Sequence, residues 1–378
     1  MNALVLGSGM MGYAATYDLV KSGMFAKVYV GDIDAEKLDR VSKHTGAETI
    51  KVNVNKTESI KQAFKMADVV LSAVPYFYNL KLTRIAISMK KHMCDLGGNI
   101  DIVHEQLALN EKAQRMGVTI IPDCGLAPGT VNILAAKLIS MLEQADDVKL
   151  RVGGLPQTPK PPLEYSLVFS AHGLINEYME KCIALRNGEL AYLDPLEDLE
   201  QIHFEGLPEL EAFNTSGGSS TLPFTFRGRV KNLDYKTIRY AGHCEKIKLL
   251  FSLGLGTKDP IVVDNKKVVP RNVLAKLLEM HLPRSEDMVL LRVTASGITG
   301  GVKKTLAYEM IDKQDKNTGH TAMMRTTAYP ASVIAIMLGQ GMPLKGVLPG
   351  ELAINADTFI TELQKRGLKI QYSEQKHN

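Results

Sequence analysis

The run Ala3-Leu4-Val5-Leu6-Gly7-Ser8-Gly9-Met10-Met11-Gly12 opens the chain, and a helix-compatible stretch containing Ala14, Ala15, Leu19 and Val20 follows it. A short apolar strand, a turn with glycines at positions 7, 9 and 12, and then a helix is the order that cradles a dinucleotide. Gly7 permits the tight turn, Gly9 leaves the backbone open to a pyrophosphate, and Gly12 lets helix and strand pack closely. Phosphates placed there meet the positive end of the helix. The turn is answered by Asp32, at the end of the next strand-like run. A carboxylate in that place accepts hydrogen bonds from a ribose 2′-hydroxyl and repels a 2′-phosphate, so NAD is expected over NADP. The expected cofactor contacts are Gly7, Gly9, Met10, Met11, Gly12 and Asp32.

Working outward, β-branched runs at 3–6, 27–30, 49–52, 69–72, 93–96 and 118–121 alternate with amphipathic segments. Strands spaced in this way predict an α/β fold, a Rossmann doubly wound parallel sheet covered on both faces. Right-handed crossovers place all strand carboxyl ends along one edge. Ala73, Val74 and Pro75, which follow the fourth run, are expected beside the nicotinamide half of the cofactor. From about residue 148 the texture changes to shorter strands and polar loops, with a stiff connector at Pro156, Pro159, Pro161 and Pro162 and a sharp loop at Gly217-Gly218-Ser219-Ser220. The organisation expected is therefore an NAD-binding domain over 1–129, completed by 325–378, and a second α+β domain of mixed sheet over 130–324 for substrate binding and oligomerisation.

Bulk properties narrow the classes. At 378 residues two domains are natural, and a net charge of +4, with both signs interleaved, argues against nucleic acid or a membrane surface as partner. The apolar stretches are too short to span a bilayer, and Met1 leads straight into a strand-like run, so a cytoplasmic enzyme is expected. Cys94, Cys124, Cys182 and Cys244 form no CxxC pair and no HExxH occurs, so neither a disulfide framework nor a bound metal is expected.

Oxidising an alcohol or amine needs a base as well as a hydride acceptor. Asp95, in Cys94-Asp95-Leu96-Gly97-Gly98, and Asp123, in Ile121-Pro122-Asp123-Cys124-Gly125, both end late strands on the functional edge. Burial or mutual repulsion raises the pKa of such carboxylates, although aspartate before glycine also serves as a plain turn residue. His104 and Glu105 read as a helix cap, and Cys124 as a packing residue. In the second domain the period of two over Tyr235-Lys236-Thr237-Ile238-Arg239-Tyr240 puts Tyr235, Thr237 and Arg239 on one face, ahead of Gly242-His243. That face offers a guanidinium fork for a substrate carboxylate and an imidazole for proton transfer. The alternative is a solvated face with a satisfied histidine.

These segments carry a resemblance. Asp95-Leu96-Gly97-Gly98, Ile120-Ile121-Pro122-Asp123, Ala127-Pro128-Gly129, Val152-Gly153-Gly154-Leu155-Pro156, Pro161-Pro162-Leu163-Glu164-Tyr165, Thr215-Ser216-Gly217-Gly218 and Tyr235 to His243 are similar to the saccharopine dehydrogenase superfamily, most closely its lysine 6-dehydrogenase branch. The resemblance implies NAD-dependent oxidative deamination of the ε-amino group of L-lysine, giving ammonia and a semialdehyde that cyclises to 1-piperideine-6-carboxylate. It also implies a homo-oligomer, dimer or tetramer. On it, Asp95, Asp123 and His243 are the base candidates in that order, Arg239 and Thr237 hold the α-carboxylate, and Glu177 or Tyr178 recognises an amino group. Saccharopine reductases of the superfamily tend to have Leu-Asp-Pro-Gly where this chain has Leu126-Ala127-Pro128-Gly129. Competing readings are a saccharopine or carboxynorspermidine dehydrogenase and, in another class, a non-catalytic NAD-sensing regulator.

Overall fold

The computed structural model describes residues 1–168, 170–283 and 285–377. The chain divides into two compact units, one of residues 1–137, 220–222 and 324–370, the other of 138–219, 223–323 and the carboxyl-terminal segment from 371.

The first unit is built on strands β1 (Asn2–Leu6), β2 (Lys27–Asp32), β3 (Glu48–Lys51), β4 (Val69–Ser72), β5 (His92–Asp95) and β6 (Thr119–Ile121). With the short strand Gly346–Val347 they form a seven-stranded sheet in the order Gly346–Val347, β6, β5, β4, β1, β2, β3, every pair parallel. From β1 the chain builds outward to β3, then returns to lay β4 on the other side of β1. That reversal is where an open α/β sheet leaves a crevice at its carboxyl edge. Local chemistry sets the helices between the strands. Asp34 caps helix Ala35–Thr45 by accepting from the N–H groups of Glu36 and Lys37, and left-handed Gly46 ends it. Asn99 caps Ile100–Leu107 in the same manner, so His104 and Glu105 lie inside that helix and are not its cap. Leu4, Leu6, Ile60, Phe64, Leu82 and Met93 are fully buried in one cluster between sheet and helices. Each such side chain contributes about 1.5–3 kcal/mol by leaving water.

The second unit carries a nine-stranded mixed sheet. Its path runs Glu200–Ile202, Leu210–Asn214, Val230–Tyr240, Gln144–Pro156, Asp287–Thr299, Val302–Lys313 and Gln371–His377, and the hairpin Cys182–Arg186/Glu189–Leu193 attaches to Val230–Tyr240. Within this sheet, among the described residues, only the pairing of Gln144–Pro156 with Val230–Tyr240 is parallel. The long strands reach 13 residues, longer than the polar texture of the region suggests, and Pro156 ends one of them instead of opening a connector. Because Gln371–His377 adds to this sheet, the carboxyl-terminal return to the first unit stops at residue 370 rather than running to the end.

Candidate active site

In the first unit, Gly9 is the N-cap of helix α1 (Met10–Ser22) and supplies no side-chain cap. The first-turn N–H groups of the helix therefore face outward without an intrahelical acceptor. A Cβ added to Gly9 would meet nothing within 4 Å, whereas one on Gly12 would stand 1.8 Å from the carbonyl oxygen of Gly7 and one on Gly7 would stand 2.8 Å from that of Ala73. Gly7 also has φ +96°, a conformation that favours glycine. Two glycines are thus required by packing and the third keeps an open cradle at a positive helix end, which fits a pyrophosphate. Met10 is exposed beside the cradle, Met11 half-buried, and Ala73, Val74 and Pro75 continue from β4, alongside β1, on the same edge.

Asp32 ends β2 and braces this turn. Its Oδ2 accepts from the N–H and the Oγ–H of Ser8, both at 2.7 Å, and its Oδ1 accepts from the N–H of Asp34 at 3.0 Å. Burial alone would raise its pKa, but the donors from Asp34 and Ser8 outweigh it and hold the carboxyl below its ordinary value. A fixed negative charge at this place favours NAD.

The two late-strand aspartates divide their tasks. Asp95 is wholly buried and saturated: Oδ1 accepts from the N–H of Gly97 at 2.8 Å and from that of Asp123 at 3.3 Å, and Oδ2 accepts from Nε2 of Gln106 at 2.8 Å. It organises the loops after β5 and β6. Asp123 has φ +58°, its Oδ2 accepts from Oγ of Ser220, and its buried Oδ1 has no hydrogen-bond partner among the described residues. Burial pushes its pKa up to about 7, against the Ser220 hydrogen bond, with the charges of Asp95 and Glu351 adding to the rise. Cys124, next to it, is fully buried, and burial raises its thiol well above the ordinary value, as a packing residue requires.

In the second unit, Arg239 is only 2% exposed. Its Nε donates to Oη of Tyr178 at 2.9 Å and its Nη1 to the carbonyl of Ile238 at 2.9 Å, while the guanidinium lies 4.7 Å from the ring centre of Tyr165. No carboxylate oxygen comes within 4.0 Å of it among the described residues. Thr237, on the same strand, shares a 2.6 Å hydrogen bond with Thr215. Tyr235 packs its ring where any side chain at Gly218 would stand, since a Cβ there would be 2.3 Å from the ring. Glu177 is half-buried, its carboxylate has no hydrogen-bond partner among the described residues, and burial raises its pKa to about 7, opposed by the Arg239 charge.

His243 has a different position from the one its sequence context suggests. Nδ1 lies 2.9 Å from the carbonyl of Leu163, which requires a donor, so Nε2 is left as the acceptor for Tyr178 Oη at 3.1 Å. Arg239 Nε–H, Tyr178 O–H and His243 Nε2 thus form one directed chain. Burial, with the Arg239 charge, lowers the histidine pKa to about 3. The imidazole is a neutral brace for Tyr178 and Arg239, and the proton-transfer expectation for His243 is corrected accordingly. No cluster of three metal-ligating side chains occurs among the described residues, and none of their helices is long and apolar enough to cross a membrane.

Fold and site together define the class, an oxidoreductase with an NAD-binding Rossmann unit. The chain belongs to the saccharopine dehydrogenase family: the saccharopine dehydrogenase NADP binding domain matches residues 3–121, and the saccharopine dehydrogenase C-terminal domain matches 125–368. The saccharopine dehydrogenase [NADP(+), L-glutamate-forming] of Pyricularia oryzae is 26% identical over 314 residues, 76% of this chain and 65% of that one. The α-aminoadipic semialdehyde synthase of Arabidopsis thaliana is 25% identical over 236 residues, 56% of this chain and 22% of that one. The chain thus spans less than two thirds of the length of these relatives. The apo saccharopine dehydrogenase (L-Glu forming) of Saccharomyces cerevisiae shares the fold, with a TM-score of 0.80 over 100% of both chains at 18% identity. Two of these relatives are named as saccharopine dehydrogenases, and none of the three singles out the lysine 6-dehydrogenase branch. Their names specify NADP in the Pyricularia case, whereas Asp32 here carries the charge that disfavours it.

Ser220, Tyr165, Gln106 and Glu351 did not stand out in the sequence. Ser220 ends a glycine-serine stretch that reads only as a sharp loop, and Gln106 and Glu351 sit on helices whose polar positions look like solvent faces.

Proposed function

We propose that the chain is an NAD-dependent oxidoreductase of the saccharopine type, which splits the secondary amine of an N6-substituted L-lysine into an amino acid and an aldehyde. The observation that carries this reading is the Arg239 guanidinium, buried without an acidic partner. The Glu177 charge acts on it from beyond ion-pair distance; a buried cation without a direct ion-pair partner is costly, and a ligand carboxylate is the natural group to offset it. Tyr178 and Tyr165 fix the guanidinium, Thr237 and Tyr235 add hydroxyls beside it, and Glu177 is suited to an α-ammonium. The family membership and the saccharopine-type relatives support a substrate with amino-acid ends.

NAD, when bound, supplies the hydride acceptor. The protein's own residues handle the proton. A protonated amine has no lone pair to assist C–H cleavage, so a base must first remove its proton. Asp123, titrating near neutrality, is assigned that role, with Asp95 holding its backbone. Once the carbon reaches the imine level, water adds to it, the C–N bond breaks, and Asp123 returns a proton to the departing amine. Gly7, Gly9, Met10, Met11 and Gly12 are assigned to the pyrophosphate, Asp32 to the ribose, and Ala73, Val74 and Pro75 to the nicotinamide half.

One observation favours a second reading, oxidative deamination of lysine itself. Ala127 stands in Leu126-Ala127-Pro128-Gly129 where saccharopine reductases of the superfamily tend to carry aspartate. Asp123 as base and Arg239 as the carboxylate-holding residue are assigned alike in both reactions, and only the departing amine differs. NADH formation from saccharopine and from lysine, with glutamate and ammonia measured in parallel, separates them: glutamate release supports the first, ammonia from lysine alone the second, and no turnover of either refutes both.

A further inference from the structure

Residues 220–222 lie in the first unit although the chain on both sides of them belongs to the second. Each is fixed there. Ser220 Oγ donates to Asp123 Oδ2, Thr221 Oγ1 donates to Glu351 Oε1 at 2.7 Å, and Leu222 is completely buried. The contact between Ser220 and Asp123 joins positions 97 residues apart, and both have positive φ, +40° and +58°, which side-chain-bearing residues rarely adopt. Backbone held in such regions marks sites where the surroundings over-determine a geometry.

We propose that Ser220 is a positioning residue that clamps Oδ2 of Asp123 and so fixes the orientation of its carboxyl group, with Oδ1 turned against Gly97. The proposal rests on the reading of Asp123 as the base. A carboxylate can rotate to present either oxygen unless one is held. Here the N–H of Asp123 is tied to Asp95, Oδ2 is tied to Ser220, and Oδ1 is the buried oxygen without a partner among the described residues. The hydroxyl also donates to the charged form and so favours the carboxylate over the acid. Apart from Ser220, the charged groups acting on Asp123 oppose its ionisation: Asp95 at the end of β5 and Glu351 on helix Gly350–Ala353 are acidic, and the neighbouring Cys124 is a thiol held neutral by burial. Ser220 is therefore the donor that keeps Asp123 ionisable near neutrality.

The test compares wild type with Ser220→Ala and Ser220→Thr by two readouts. The first follows the carbon-13 carboxyl shift of Asp123 against pH without substrate, assigned with Asp123→Asn. The second is the pH profile of kcat/KM. In Ser220→Ala the carboxyl titration and the acid limb should both move up by about one to two pH units, as expected for losing a hydrogen bond to a charged group, and Ser220→Thr should restore both. A titration that stays at its wild-type midpoint in Ser220→Ala overturns the clamp, whatever the activity does. A titration that moves while no amine is oxidised upholds the clamp and refutes the catalytic reading on which its purpose depends.

Discussion

A Cβ at Gly97 would stand 1.7 Å from Oδ1 of Asp123, so the free oxygen of that carboxylate occupies the space where any other residue would place its side chain. Gly97 also has φ +69°. The glycine therefore shapes the site of the proposed base, beyond turning the chain after β5.

Gly97→Ala should displace Asp123 and strain the loop. The cost in unfolding free energy is about 1–3 kcal/mol, measured by denaturant titration. Turnover should fall at least about tenfold, while NADH affinity, read by fluorescence, stays unchanged because the glycine turn after β1 is untouched.

Asp123→Asn makes a prediction about pH and stability. The folded carboxyl has its pKa raised to about 7 from an unfolded value of 3.8. A raised carboxyl contributes stability fully below its unfolded pKa and loses it as pH rises through the folded one. The neutral amide loses nothing over that window. The variant should therefore gain on wild type between pH 4 and 7 and keep a margin of a few kcal/mol, on the order of the shift itself, at pH 8. It should be almost inactive there. Equal pH dependence in the two proteins would place the titration elsewhere.

Asp32→Ser should invert the cofactor balance. Removing the carboxylate takes away hydrogen bonds to the ribose and the repulsion of a 2′-phosphate, so kcat/KM with NAD should fall about tenfold to a hundredfold and that with NADP should rise. Some loss of thermal stability accompanies it, because Ser8 N–H and Oγ–H both depend on Asp32.

Arg239→Met should raise KM for the amino-acid substrate by about tenfold or more with a much smaller change in kcat, the signature of lost uniform binding. Removing the guanidinium breaks no ion pair among the described residues, but it takes from Glu177 the positive charge that opposes the rise in its pKa. An unchanged KM would take the carboxylate role away from Arg239.

The parallel sheet was legible because strand, glycine turn and helix repeat with a period that tolerates little else, and because Gly7, Gly12 and Asp32 perform local tasks within a few residues of one another. The second sheet was less so. Its long strands, such as Val230–Tyr240, include buried charged residues like Lys236 and Asp234 that pair with groups elsewhere in the sheet, so their polarity reads as exposure. Position and neighbours made Asp123 and Arg239 candidates, but the partners that set their surroundings were not legible. Ser220 lies 97 residues from Asp123, and the Tyr178 hydroxyl that separates Arg239 from His243 lies 61 and 65 residues from them. His243 looked like an acid-base residue because sequence shows its proximity to Arg239 and hides the Leu163 carbonyl that fixes its tautomer.

The central claim is tested most directly by incubating the protein with NAD and saccharopine and following absorbance of NADH together with release of glutamate. The account predicts NADH and glutamate formed one for one, with both lost in Asp123→Asn and both needing much higher substrate in Arg239→Met. No NADH from saccharopine or from lysine, by protein shown to bind NAD, would contradict it.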